Sequence, residues 1–192
     1  MSLAIALLTI SDTRSLNEDA SGDQLQKSLE NADHRLEERC LCPDDRYRIR
    51  ALLSRWIADP NIDVVITSGG TGVTGRDGTP EAVEPLLDKR IDGFGELFRV
   101  ISFNKIGTST LQSRCLAGVA NGTFVFVLPG SLDAVKTAWE HLIKAQLDAS
   151  TKPCNLAQLL SRLKESTETP ASSEGLERGM GGISSAIQSN GS

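Results

Sequence analysis

The chain has 192 residues, 39% of them hydrophobic, with 25 acidic against 20 basic side chains and a formal net charge of -5. That length and composition suit one domain with a real core. The acidic balance argues against nonspecific nucleic-acid binding, which needs a basic face, and no stretch approaches the roughly 20 apolar residues of a membrane-spanning helix.

Residues 2–10 are apolar but lack a basic leading segment, so they read as a first β-strand and not as a signal peptide; the expected location is cytoplasmic. A polar loop, Ser11-Asp12-Thr13-Arg14, follows. Leu25, Leu29 and Ala32 have helical spacing and predict a helix over residues 21–33. Residues 35–41 alternate as a second strand. Pro43-Asp44-Asp45 then opens a helix with Ile49, Leu52, Leu53, Trp56 and Ile57 on one face. Residues 62–66, Ile-Asp-Val-Val-Ile, read as a buried third strand. After a glycine-rich loop, Thr79-Pro80-Glu81 carries the marks of a helix start, a hydroxyl, a proline and a first-turn acid. Phe94, Leu97, Phe98 and Ile101 define another helix after Gly93, and a further helix is expected over residues 109–118. Residues 123–128 form a last β-rich run. Pro129-Gly130-Ser131 starts a helix bearing Val135, Ala138, Trp139, Leu142 and Ile143, and a short helix over 156–163 closes the domain. From Lys164 to Ser192 the composition turns to Ser, Gly, Glu and Thr with no sustained apolar face, which predicts a disordered tail after a domain of residues 1–163.

Strands alternating with helices predict an α/β fold, a mostly parallel sheet between two helical layers. Ligands in such folds sit at the carboxyl ends of the strands. Four loops would gather there: residues 11–14, 43–45, 68–79 and 129–131.

The loop Thr67-Ser68-Gly69-Gly70-Thr71-Gly72-Val73-Thr74-Gly75-Arg76-Asp77-Gly78-Thr79 joins a strand to a helix. Glycines let backbone approach a ligand closely, and bare amides favour an anion. Asp77 places a carboxylate in the same loop, a pairing that suits phosphate chemistry assisted by a metal. Gly70-Thr71-Gly72-Val73-Thr74-Gly75 matches the dinucleotide pattern G-x-G-x-x-G, but the helix opens only at Thr79, so that context is missing. Gly75-Arg76-Asp77 is not the Gly-Lys-Ser/Thr of a Walker loop. Cys40, Cys42, Cys115 and Cys154 lack further ligands at zinc spacing and read as reduced thiols, and His34 and His141 receive no role.

The loop motif, with Thr79-Pro80-Glu81-Ala82, Gly93-Phe94-Gly95-Glu96, Ser113-Arg114, Ala117-Gly118 and Leu128-Pro129-Gly130, resembles the MoaB and MogA family of molybdenum cofactor biosynthesis. The agreement spans residues 3–155, and the stretch 106–114 and the end Pro153-Cys154-Asn155 look like MoaB. The resemblance implies a three-layer α/β/α molybdopterin-binding fold and a homo-oligomer, a trimer or a hexamer of two trimers. It implies a molybdopterin adenylyltransferase that moves AMP from Mg-ATP to the terminal phosphate of molybdopterin and releases pyrophosphate. The alternative is a non-catalytic molybdopterin carrier or scaffold.

By position, Asp44 and Asp77 match the two family acids needed for adenylylation, and Mg²⁺ held by them would neutralise phosphate charge. The alternative for Asp44 is an N-cap after Pro43, and for Asp77 a brace of its own loop. Ser68, Gly69, Gly70, Thr71, Gly72 and Gly75 would cradle a phosphate, and Ser11, Asp12 and Thr13 would contact the same ligand. Ser113 and Arg114 match a family pair in which Arg114 supplies positive charge; its alternative is a surface salt bridge. Pro129, Gly130 and Ser131 would meet the nucleotide, although active relatives often have Asn where Ser131 stands.

Overall fold

The computed structural model describes residues 1–163, so the tail expected to be disordered lies outside the described residues. Six strands form one sheet in the order β2-β1-β3-β6-β5-β4. They are β1 (Ala4–Ile10), β2 (Arg35–Cys42), β3 (Val64–Ser68), β4 (Lys89–Arg90), β5 (Leu116–Ala120) and β6 (Thr123–Leu128). The run β2-β1-β3-β6 is parallel, whereas β5 and β4 join antiparallel at one edge. Helices α1 (Ala20–Glu30), α4 (Asp92–Ile106) and α5 (Leu132–Ala138) cover one face, and α2 (Arg46–Ala58) and α3 (Thr79–Val83) the other. This is the expected three-layer α/β/α arrangement. Short helices α6 (Lys144–Leu147) and α7 (Leu160–Leu163) complete the described chain.

Strand periodicity divides the core in two. Leu3, Ile5 and Leu7 point to one layer and pack with Leu25, Leu29, Phe98 and Trp139. Ala6, Leu8 and Ile10 point to the other and pack with Ile49, Leu53 and Trp56. Val64 and Ile66 against Val65 repeat the division on β3. A strand apolar on both faces must lie in mid-sheet, which is where β1 and β3 sit.

The chain leaves β1 toward β2 on one side and returns through α2 to β3 on the other. Loops diverge there and open a crevice at the strands' carboxyl ends. Thr9, Ser68 and Leu128 are in register across β1, β3 and β6, so the three loops that follow start level.

One expectation fails. Residues 109–118 are not a helix but a 3-10 segment, Gly107–Gln112, followed by β5. Strands β5 and β6 are a hairpin turned by Asn121-Gly122, whose φ values of 47° and 79° suit a two-residue turn. Neighbouring strand β6 supplies the ladder that draws Leu116–Ala120 into the sheet. Among the described residues no helix is long and apolar enough to cross a membrane.

Candidate functional site

The loop after β3 is held open by defined contacts. Gly69 has φ 108° and Gly70 φ 63°, backbone that L side chains rarely adopt. A Cβ on Gly69 would lie 2.1 Å from the Ile10 carbonyl oxygen, and one on Gly70 2.4 Å from Asp44 Oδ2. Glycine is therefore required at both positions by conformation and by space. The Gly69 amide donates to the Leu128 carbonyl at 3.0 Å, and Thr79 donates through its hydroxyl to the Gly69 carbonyl (2.9 Å) and through its amide to that of Gly70 (3.0 Å). The Gly70 and Thr71 amides find no acceptor among the described residues. Two bare amides beside backbone that carries no side chain are what an anion needs.

A cavity of about 580 Å³ lies against this loop. Its lining takes in Ser11, Thr13, Gly69, Gly70, Thr71, Gly72, Asp77, Ser113, Pro129, Gly130 and Ser131 of the expected residues. Asp12, Asp44, Ser68, Gly75 and Arg114 do not line it. Ser68 is buried at the end of β3, between Thr9 and Leu128. Gly75 stands in open space. The other residues of the lining were not expected. Arg14 lines the cavity and donates from Nη1 to the Gly130 carbonyl at 3.2 Å. Helix α4 presents Phe98, Ser102, Lys105 and Ile106, and the 3-10 segment presents Thr110 and Gln112. The α4 set has i, i+4, i+7, i+8 spacing, a helical face of mixed polarity that was readable in the sequence. Thr110 Oγ1 is buried in the wall with no partner among the described residues.

Arg114 pairs with Glu81, as the salt-bridge alternative expects, and its guanidinium also braces the glycine loop. Its Nε donates to the Gly72 carbonyl and its Nη2 to the Asp77 carbonyl, each at 2.8 Å, while Nη1 pairs with Glu81. Its amide also donates to the Thr71 carbonyl at 3.2 Å. One side chain thus clamps both ends of the loop. A planar fork of donors suits this; an ammonium would not reach all three.

The two acids sit on the glycine loop in different ways. Asp77 Oδ2 accepts from Thr74, amide at 2.8 Å and hydroxyl at 2.6 Å, so Asp77 braces its own loop. The Thr74 hydroxyl is the main reason its carboxyl stays below the usual range, with the loop amides and Arg114 adding to it. Its Oδ2 lies 2.6 Å from where a Cβ on Gly72 would stand. Asp44 does not cap α2; Asp45 does, accepting from the Tyr47 and Arg48 amides. Asp44 instead leaves its helix start and accepts from the Gly78 amide at 3.2 Å, beneath Gly70. Burial pushes its carboxyl up, and the charges of Asp12 and Asp77 push it further. Two carboxylates thus press on the bare backbone of one loop, one held low by its own loop's donors and one raised by burial and neighbouring acids. Among the described residues no group of three or more His, Cys, Asp or Glu side chains could hold a metal ion. Two carboxylates beside an anion cradle nevertheless fit Mg²⁺, which takes one or two carboxylates and completes its shell with phosphate oxygens and water.

Asp12, outside the cavity lining, is taken up by Arg76. Its carboxylate takes both Nε (2.9 Å) and Nη2 (2.7 Å) of Arg76 and accepts the Asp44 amide at 3.0 Å. Arg76 holds the Asp12 carboxyl below the usual range.

A doubly wound sheet with bare amides, two carboxylates and a cleft at its switch point defines an α/β protein of the ligand-binding kind, with a cleft whose chemistry suits an anionic group. Comparison with known proteins narrows the class. The family model described as "Probable molybdopterin binding domain" matches residues 6–149. The chain is 51% identical over 151 residues to molybdenum cofactor biosynthesis protein B of Escherichia coli (strain K12), covering 79% of this chain and 89% of that protein. The protein of the same name from Staphylococcus aureus (strain COL) is 43% identical over 146 residues, covering 74% of this chain and 86% of that one. The crystal structure of the tungsten cofactor synthesizing protein MoaB from Pyrococcus furiosus superposes with a TM-score of 0.72 at 34% identity, covering 85% of this chain and 98% of that one. The chain belongs to the MoaB/MogA family of molybdenum cofactor biosynthesis proteins.

Proposed function

We propose that the chain is a molybdopterin adenylyltransferase. A terminal phosphate oxygen of molybdopterin attacks the α-phosphorus of ATP, the bond between the α-phosphorus and the bridging oxygen breaks, and pyrophosphate leaves with the electron pair. The observation that carries this reading is the pair of acids, Asp44 beneath Gly70 and Asp77 against Gly72, flanking two bare amides. Joining two anions requires charge neutralisation and alignment more than covalent help. Mg²⁺ held by Asp44 and Asp77 would supply that neutralisation when bound.

The chain's own groups supply the rest. The Gly70 and Thr71 amides receive the molybdopterin phosphate, Arg114 keeps the loop in shape, and Arg14 is a cation at the cavity wall. The cavity of about 580 Å³ extends along Phe98, Ser102 and Thr110, room for an organic group beyond the phosphate. The nucleotide lies on the Asp44 side of the loop, whereas Pro129, Gly130 and Ser131, expected to meet it, line the cavity instead. The protein acts in the cytoplasm, as a homo-oligomer built on the exposed apolar stripe of α4.

A non-catalytic molybdopterin carrier is favoured by one observation: Asp77 is already engaged with Thr74 and has a structural use without any metal. Incubation with molybdopterin and Mg-ATP decides between them. Pyrophosphate released in step with adenylylated molybdopterin supports the enzyme; molybdopterin bound with no Mg-dependent ATP binding and no product supports the carrier.

A further inference from the structure

We infer that Arg76 is the cation that grips a polyphosphate at this site, and that Asp12 holds it in place until the polyphosphate takes it over. The inference rests on the nucleotide reading above and adds to it a residue and a mechanism of exchange. Arg76 and Asp12 meet fork to fork, two nearly parallel hydrogen bonds of 2.9 and 2.7 Å. That is also the geometry in which a guanidinium meets two phosphate oxygens, so the partner can change without the side chain changing its mode.

The pair is placed for exchange. The Arg76 side chain is 66% exposed and that of Asp12 35%, so water and salt screen the contact and it is readily given up. Arg76 lies between Gly75, in open space, and Asp77. Its charge also acts on Asp44, and Asp12 receives the Asp44 amide. Arg76 therefore sits over the side of the loop where Asp44 stands, away from the cavity lining. Arg114 offers no such exchange, because its guanidinium is committed to two loop carbonyls and Glu81. Lys105 faces the cavity and is held by Thr137 at 2.9 Å, so it belongs to the other side of the loop.

Calorimetric titration of the full chain with inorganic pyrophosphate in Mg²⁺ buffer tests the exchange, with Mg-ATP as a second arm. Arg76→Ala is expected to weaken both ligands by about tenfold. Asp12→Asn removes the competitor and is expected to tighten both by about threefold. The opposite signs are the signature, since a mere loop brace would be damaged alike by either change. Equal weakening by the two variants, an Arg76→Ala affinity equal to the parent's, or a parent that binds no pyrophosphate overturns the inference. Product formation measured separately keeps the two readings apart. Adenylylated molybdopterin made by a parent whose Arg76→Ala variant binds pyrophosphate normally overturns Arg76 alone. The predicted pair of shifts in a parent that makes no product overturns the reaction and leaves the polyphosphate grip standing.

Discussion

Asp44 and Asp77 carry opposite electrostatic loads, and the difference yields distinct expectations. The Asp44 carboxyl is pushed up, first by burial and then by Asp12 and Asp77. A group whose folded-state pKa is raised costs stability once pH exceeds its unfolded value, because the native state then resists losing the proton. Asp44→Asn removes that cost and keeps an oxygen for the Gly78 amide. At pH 7 the variant should melt about 2 °C higher than the parent, with the gain shrinking as pH falls through the carboxylate range. A melting curve at each pH checks this; a lower melting temperature at pH 7 would show that Asp44 stabilises the fold. Stability traded for charge at one residue is what a functional acid shows. Asp77→Asn keeps the loop acceptor and loses the charge, so molybdopterin affinity should stay within about threefold while adenylyl transfer falls by about a hundredfold or more. Turnover equal to the parent's would remove the metal role from Asp77.

At the scale of elements, α1 is pinned by a buried carboxylate. Asp19, with no exposed side-chain surface, accepts from the Gly22 amide (3.0 Å), the Thr9 hydroxyl (2.6 Å) and Arg39 (2.9 Å). Burial alone would raise its carboxyl, and the three donors together outweigh that and lower it. A lowered folded-state pKa contributes stability that is present above the unfolded value and lost as pH falls through the folded one. Asp19→Ala should destabilise by about 2–4 kcal/mol at pH 7, because it removes the cap and leaves Arg39, only 15% exposed, without this partner. In acid, below the ordinary aspartate range, the gap between variant and parent should narrow; a gap constant with pH would mean that packing, not charge, is lost. The glycine loop depends on one side chain in a similar way. Arg114→Lys keeps the charge but not the fork to Gly72, Asp77 and Glu81, so molybdopterin binding should weaken by about tenfold although net charge is unchanged. Normal binding by the lysine variant would show that charge alone holds the loop.

The whole molecule leaves an apolar stripe on α4 and the segment after it. Leu97, Val100, Phe103 and Ile106 are all more than half exposed, and Leu111 is 78% exposed. Spacing of three residues from 97 to 106 makes one ridge, an area that water leaves unsatisfied unless another copy covers it. The chain should therefore scatter light as a trimer or hexamer at micromolar concentration. Val100→Glu with Phe103→Glu should shift it toward monomer with the far-ultraviolet spectrum retained. A parent that scatters as monomer would reject the assembly. Ile106 belongs both to this ridge and to the cavity wall that Phe98 and Ser102 help to form, so one helix links the proposed interface to the cleft.

The sequence by itself determined the layers, the parallel run of strands, the loop positions and the glycine cradle. Each rests on a local pattern: β1 and β3 apolar on both faces, helical spacing in α2, and Thr79-Pro80-Glu81 opening α3. Asn121-Gly122 was an equally local signal for the β5–β6 hairpin, passed over when a helix was expected over residues 109–118. Only the tertiary structure decided how the site's groups are used. Asp44 and Asp45 are adjacent in sequence and both can cap; the position of Gly78 against Asp44 assigns the cap to Asp45. Gly69 looks like any loop glycine until β6 places the Leu128 carbonyl on its amide. Arg114 reads as a surface cation until α3 and the loop supply carbonyls and Glu81 around it. The α4 wall of the cleft and the Asp12–Arg76 pair, 64 residues apart, join segments that no window of sequence spans. Periodicity records which way a side chain faces along its own element; which neighbour it then meets depends on packing between elements far apart in the chain.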